Sequence, residues 1–342
     1  MDDSINERTN GGGRPRARGG GLGVLLVNLG TPDAPTPRAV RQYLAEFLSD
    51  PRVVDYPRWL WLPILHGVIL NVRPARSARS YAKIWMEEGS PLRVYTKRAA
   101  VALAERLGAA VRVDWAMRYG APSVRERMTA MRDAGCGRVL VVPMYPQYSP
   151  STTASVGDAA EAAVTSIDDA PALRRAAPFF DHPLYIAALK ASARAHLDGL
   201  GRAPGRIILS FHGAPKRWQQ EGDPYAAQCA ETARLLRAAM GWAEDYAPLA
   251  FQSKFGREEW LTPATDALIR EAAVEGVKEL AVMTPGFLTD CLETLEEMAM
   301  GGRETFFENG GEQFTVIPCL NDAPALIDLI AALVAREAAL WD

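Results

Sequence analysis

Two groups in this chain have the residue types and spacing to carry chemistry: an imidazole and a set of carboxylates. His212 follows the apolar run Ile207-Ile-Leu-Ser-Phe211, and Gly213-Ala214-Pro215 comes directly after it. A short run rich in β-branched residues reads as a buried strand, and glycine and proline break it. The histidine thus stands at a strand's carboxyl end, where open α/β sheets bind ligands. There an imidazole can take a proton near neutral pH or ligate a metal. The other reading is a core histidine satisfied by a backbone carbonyl. The second group, Asp290, Glu293 and Glu297, follows the apolar run Leu280-Ala-Val-Met283. With Thr289 or Asp290 as a helix cap, the three acids fall at i, i+3 and i+7 on one helical face. Beside a cleft such a ladder carries cations or protons. On a bare surface it is only a solvated acidic face.

Composition bounds what these groups can serve. The 342 residues are 48% hydrophobic and 23% charged, which suits a globular chain with room for two domains. A net charge of -3 argues against nucleic acid as a partner. Cys136, Cys229, Cys291 and Cys319 lie far apart with no CxxC pair, so neither a zinc site nor a disulfide framework is expected, and a reducing compartment fits. The longest apolar stretch, Trp59 to Val72, contains Pro63 and His66 and is too short to span a bilayer. The start, Met1-Asp2-Asp3, has no apolar core of a secretory leader, and residues 1–21, rich in Gly and Arg, read as a disordered tail. Cytoplasmic localisation is expected, with a peripheral contact on the inner membrane face as an option through Trp59–Val72.

The elements that must position the acids and the imidazole come in two similar series. Asn28-Leu-Gly-Thr-Pro32 matches Phe211-His-Gly-Ala-Pro215, Arg118-Tyr-Gly120 matches Lys254-Phe-Gly256, and Val141-Val-Pro143 matches Met283-Thr-Pro285. Strands alternate with helices throughout, which implies parallel sheets. The expected fold is α/β: two similar doubly wound, Rossmann-like domains with four-stranded parallel sheets facing a central cleft. The boundaries read as 22–175 and 176–322, with a terminal helix over 323–342 packing back on the body. The first series is roughly twice as long between its first two matching glycines as the second, which isolates an insertion over about residues 50–90. Its Trp59–Val72 segment is apolar almost all round. It reads either as a lip over an apolar ligand, touching a membrane surface, or as a helix buried under the domain.

The expected cleft has the imidazole on one wall, the acids on the other, and arginines at its mouth. No GxGxxG fingerprint, Walker loop or GxSxG elbow accompanies the strands, so a nucleotide or a serine nucleophile is not expected. One base, several acids and apolar walls suit proton removal coupled to handling of a divalent metal. Metal insertion into a flat nitrogen macrocycle needs all of these: a base for two ring N–H protons, weak transient ligands for the metal, and rigid walls that strain the ring.

At these residues the sequence closely resembles the ferrochelatases, the terminal enzymes of heme synthesis. The resemblance runs from about residue 22 to the end. It rests on Ser210-Phe-His-Gly-Ala-Pro215 with Gly222-Asp-Pro-Tyr225, Gln252-Ser-Lys-Phe-Gly256, Trp260, Tyr145-Pro-Gln-Tyr-Ser149, Asn28-Leu-Gly-Thr-Pro32, Gly89-Ser-Pro91 and Asp290-Cys-Leu-Glu-Thr-Leu295. It implies insertion of Fe2+ into protoporphyrin IX with release of two protons and no organic cofactor. His212 and Glu293 take the positions of the family's catalytic and metal-binding pair, and Asp290 and Glu297 extend a proton or metal path. Leu29, Arg73, Tyr81, Arg118, Tyr145, Tyr148, Ser149 and Trp260 fall at porphyrin-lining positions, Arg73 as a propionate partner. Cys291 stands where some members carry histidine, and Ala214 where a larger aliphatic residue is usual. Pro150 stands near where some members place a cluster cysteine, so no [2Fe-2S] cluster is expected.

Three other readings remain. A chelatase for coproporphyrin III would need more cationic contacts, and a cobalt chelatase for an open, carboxylated tetrapyrrole would have a more basic cleft. A two-domain tetrapyrrole-binding protein would show no turnover at all.

Overall fold

The computed structural model describes residues 20–256 and 258–341, so nearly all of the expected tail lies outside the described residues. Gly21, assigned to that tail, already opens the first strand. The first half runs β1 (Gly21–Gly30), α1 (Pro37–Ser49), α2 (Arg58–Ile64), α3 (Leu70–Ile84), α4 (Pro91–Leu107), β2 (Val111–Tyr119), α5 (Val124–Asp133), β3 (Cys136–Pro143), α6 (Ser155–Ser166) and β4 (Ala172–Arg175). After α7 (Pro183–Asp198) come β5 (Arg206–His212), α8 (Lys216–Gln220), α9 (Tyr225–Met240), β6 (Leu249–Gln252), α10 (Thr265–Val274), β7 (Glu279–Met283), α11 (Arg303–Glu308), β8 (Gln313–Ile317) and α12 (Pro324–Ala338).

The strands form two four-stranded parallel sheets, ordered β2-β1-β3-β4 and β6-β5-β7-β8. The same doubly wound order recurs, as the internal repeat predicts. Helices cover both faces, so the central strands are unbroken apolar runs: Val24 to Val27 and Val139 to Val142 are wholly buried. The largest apolar cluster joins both halves. In it Leu329 and Leu333 of α12 and Tyr185 and Leu189 of α7 meet Leu26 and Leu140 of one sheet and Ile207 and Leu209 of the other.

The carboxyl ends of the two sheets meet. Asn28, near the end of β1, donates to Thr289 beyond β7 at 3.5 Å. After β3, Gln147 donates to Thr232 at 3.0 Å, and the Tyr148 N–H to Gln228 at 2.6 Å, both acceptors on α9. Tyr185 donates to the Pro285 carbonyl.

The insertion is neither a free lid nor a buried helix. A π-helical turn, Leu65–Ile69, joins α2 to α3. Leu65, Leu70, Ala78, Tyr81 and Ile84 pack on Val40, Tyr43 and Leu44 of α1, while Trp59, Leu60, Ile64, Val68 and Val72 remain exposed. Its root is tied down by a buried carboxylate. Asp50 Oδ2 accepts from Arg118 (2.6 Å), Tyr119 (2.8 Å) and Ser155 (2.8 Å), and Oδ1 from the Arg52 N–H (2.8 Å). Burial alone would raise this carboxyl, but the donors from Arg52, Tyr119 and Ser155 and the Arg118 cation outweigh it and hold Asp50 below the ordinary carboxylate range. A lowered carboxyl contributes stability above its unfolded-state value and loses it as pH falls through the folded value. Asp50→Asn should therefore lose about 3 kcal/mol at neutral pH. In denaturant titrations the deficit should shrink progressively below about pH 5; a deficit independent of pH would contradict this account of the anchor.

Candidate active site

His212 ends β5 and pairs in the ladder with Gln252 of β6. Its Nδ1 lies 2.6 Å from the Gly213 carbonyl oxygen. A carbonyl only accepts, so Nδ1 carries the proton and the neutral ring keeps its lone pair on Nε2. Both readings of this histidine thus hold together, because the backbone carbonyl that satisfies one nitrogen leaves the other as base or ligand. The peptide groups around it are fixed as well. The Gly213 N–H donates to Gln252 O at 2.8 Å, and the Tyr225 hydroxyl to His212 O at 2.9 Å. A Cβ on Gly213 would come within 2.8 Å of both Gln252 O and the Trp260 ring, so only glycine fits here. The Phe287 ring lies 6.4 Å from the imidazole, centroid to centroid.

The acids do not form the expected ladder on an opposite wall. In the β6-β5-β7-β8 order the strands feeding His212 and the acids are neighbours, so both belong to the second half. The helix after β7 is π-helical over Glu293–Gly302, and Asp290 lies before it. Asp290 turns away into a structural knot: Oδ1 accepts from Thr294 at 2.9 Å, and Oδ2 from Asn321 at 2.7 Å. Glu297 accepts from the Ser253 N–H (2.8 Å) and hydroxyl (2.6 Å). Burial pushes its carboxyl up; the Ser253 hydroxyl opposes this, the Glu293 charge adds to it, and His212 opposes it. Glu293, Glu297 and His212 therefore act on one another through a partly desolvated space. Gln252 fixes the start of the π segment by donating to Glu293 O at 3.1 Å.

The first half contributes the facing surface. Tyr43, Tyr81 and Tyr145 are all pushed well above the usual phenol range, chiefly by burial, and the Glu293 charge raises each further. These three phenols thus gather around Glu293 and stay neutral. Tyr145 Oη is buried with no hydrogen-bond partner among the described residues. Leu29 and Tyr81 share an apolar cluster with Leu292 and Leu295, next to Glu293.

The other residues expected to line the porphyrin are mostly engaged with neighbours in the chain. Arg118, expected at a porphyrin-lining position, has its guanidinium bound to Asp50 and Ser155 and lies over the Tyr119 ring at 4.4 Å. Its charge also reaches the Tyr145 phenol. Ser149 is buried against Ser151 at 3.1 Å, and Tyr148 is half-buried. Trp260 is buried under Phe255, 4.9 Å between centroids, and packs on Gly213. Arg73 is exposed on α3, and its charge reaches Tyr81.

Tyr43, Tyr225 and Asn321 escaped the sequence reading as site residues. Tyr225 was visible as the end of the GDPY motif, but not its bond to the backbone of His212. Tyr43 reads only as one member of the apolar stripe of α1.

Comparison with known proteins shows the family. The family model described as Ferrochelatase matches residues 21–338. The ferrochelatase of Rhizobium meliloti is 50% identical over 326 residues, covering 94% of this chain and 96% of that protein. The ferrochelatase of Azoarcus sp. is 52% identical over 321 residues, covering 93% and 88%. Among solved structures, SirB from Bacillus subtilis with Fe3+ superposes with a TM-score of 0.57 at 11% identity, over 93% of this chain and 96% of that one, which supports the fold. With a family match across almost its whole length and curated relatives near half identical, the chain belongs to the ferrochelatase family.

Proposed function

We propose that this protein inserts Fe2+ into protoporphyrin IX, releasing two protons and forming protoheme. The observation that carries the reading is the His212 imidazole, with Nδ1 engaged by Gly213 O, close enough to Glu297 to act on its charge, as Glu293 also does. The macrocycle would lie between this trio and the apolar, phenolic surface of Leu29, Tyr81 and Tyr145. His212 Nε2 takes a pyrrole proton, and the carboxylates stabilise the resulting imidazolium. Glu293 serves with His212 as a transient oxygen and nitrogen ligand for the incoming iron, which must shed water without being trapped. Glu297, held by Ser253 and raised by burial, accepts and passes on a proton more readily than an exposed carboxyl. Asp290 supports this route by anchoring Thr294 one residue past Glu293. Tyr148, Ser149, Arg118 and Trp260 shape the pocket, and Arg73 meets a propionate. No organic cofactor is expected, and no [2Fe-2S] cluster: Pro150, which opens the helical turn after β3, stands near where some family members place a cluster cysteine.

The substrate preference follows from the insertion. Its exposed apolar residues, with Trp59 at 79% and Val72 at 71%, suit the less carboxylated protoporphyrin over coproporphyrin. Leu60, Ile64, Val68 and Val72 recur every fourth residue, and a π-helical turn within the run keeps that spacing near one face. With Arg58, Arg73, Arg76 and Arg79 beside it, this stripe fits peripheral docking on an anionic membrane surface, on the cytoplasmic side. Among the described residues no helix is long and apolar enough to cross a membrane.

Two experiments test these proposals. Mixed anaerobically with Fe2+ and protoporphyrin IX, the protein should produce the heme absorption spectrum. His212→Ala and Glu293→Gln should each lose roughly 100-fold or more in kcat. Preference for coproporphyrin III would correct the substrate, and tight binding of both rings without turnover would leave a binding protein. In the second experiment, vesicles containing phosphatidylglycerol should co-sediment the protein, and Trp59→Ala with Val68→Asp should weaken this at least about tenfold. Equal sedimentation of wild type and variant would remove the insertion from any membrane role.

A further inference from the structure

Glu296 has no part in the site described above, yet it lies between Glu293 and Glu297 on the same π-helical segment. Its Oε1 accepts from Ser80 Oγ at 3.0 Å and from Lys83 Nζ at 2.8 Å. Both donors are on α3, and they flank Tyr81, which packs with Leu292 and Leu295 at the start of that segment. The carboxylate therefore adds a polar tie to the apolar packing between the outer arm of the insertion and the helix that carries the reacting acids.

The insertion is held unevenly. Its root is fixed to the first half by Asp50, whose side chain is 8% exposed. Its arm reaches the second half through the packing of Tyr81 on Leu292 and Leu295 and, in polar contacts, through Glu296, 24% exposed, and Lys83, 53% exposed. A half-solvated pair of this kind is easily broken and remade, and it is screened by salt. Among the described residues the root is also tied across the halves by Arg217 and Asp55, at 2.9 Å, with the aspartate exposed and the arginine half-buried.

We infer that Glu296 is a positioning residue: it latches α3, and with it Tyr81, to the π-helical segment, so that closure of the insertion over the porphyrin and placement of Glu293 occur together. The inference rests on the porphyrin reading of the cleft. It assigns Ser80 and Lys83 as the latch partners, and it requires no contact between Glu296 and the ring.

The test is a double-mutant cycle on Lys83→Met and Glu296→Gln. It is read by the release rate of protoporphyrin IX in stopped-flow fluorescence and by the separate kcat and KM for the porphyrin. Each single variant should release the ring roughly two- to fivefold faster and raise KM by a similar factor, the size expected for one partly exposed pair. The double variant should be no worse than the poorer single, because both remove the same interaction. Lys83→Arg should behave as wild type, and in wild type high salt should reproduce the faster release. Additive losses, unchanged release in both singles, or a lowered melting temperature with intact KM would each overturn the latch. Hydrogen exchange of residues 70–84 without porphyrin provides a separate readout. If wild type fails to bind porphyrin, the functional reading fails, whereas faster exchange in both singles and no further gain in the double would still establish the latch.

Discussion

Which nitrogen of His212 is left free determines what this site can do. The answer lies in one short contact, from Nδ1–H to the carbonyl of the next residue. Much of the surrounding structure serves to hold that carbonyl in place. Gly213 can come close to Gln252 and Trp260 only because it lacks a Cβ, its N–H is taken by the neighbouring strand, and Tyr225 holds the carbonyl before it. The ring therefore does not need to reorganise before taking a proton, which is the advantage of a preorganised base.

The carboxylates are arranged by the same logic. Parallel sheets deliver their loops at one end, and the order β6-β5-β7-β8 makes the histidine strand and the acid strand neighbours. The second half thus assembles base and acids on one surface, and the first half faces them with neutral phenols and apolar groups. Buried carboxylates a few residues apart repel, and here the repulsion is used: Glu297 is raised but kept in place by Ser253. The buried charge of Asp50 is neutralised by Arg118 and hydrogen-bonded on both oxygens, so it can anchor the insertion without an exposed cost.

The repeat, the alternation of strands and helices, and the carboxyl-end position of His212 were all legible, because buried parallel strands and their glycine-proline stops leave local patterns. The contents of the walls were not. Sequence spacing places Asp290 with Glu293 only on a regular α-helix; the chain begins its helix later and winds it as a π-helix, and Asn321, distant in sequence, claims Asp290. The partner of Arg118, Asp50, lies sixty-eight positions away, so their ion pair left no local pattern. That His212 and the acids share the second half was legible from the repeat, but which strand neighbours which is a property of topology, so spacing alone could not show that β5 and β7 lie side by side. The insertion was recognisable from its length and tryptophans, but not its division into a packed face and an exposed stripe.

The most direct measurement is the nitrogen-15 spectrum of histidine-labelled protein at neutral pH, without ligand. The chain has four histidines, and His212→Ala identifies the signals that belong to the site. The account predicts that His212 is the Nδ1–H tautomer, with an unprotonated Nε2. A proton on Nε2 with the lone pair on Nδ1 would contradict it, because the base would then point its free nitrogen at a carbonyl oxygen and away from any porphyrin.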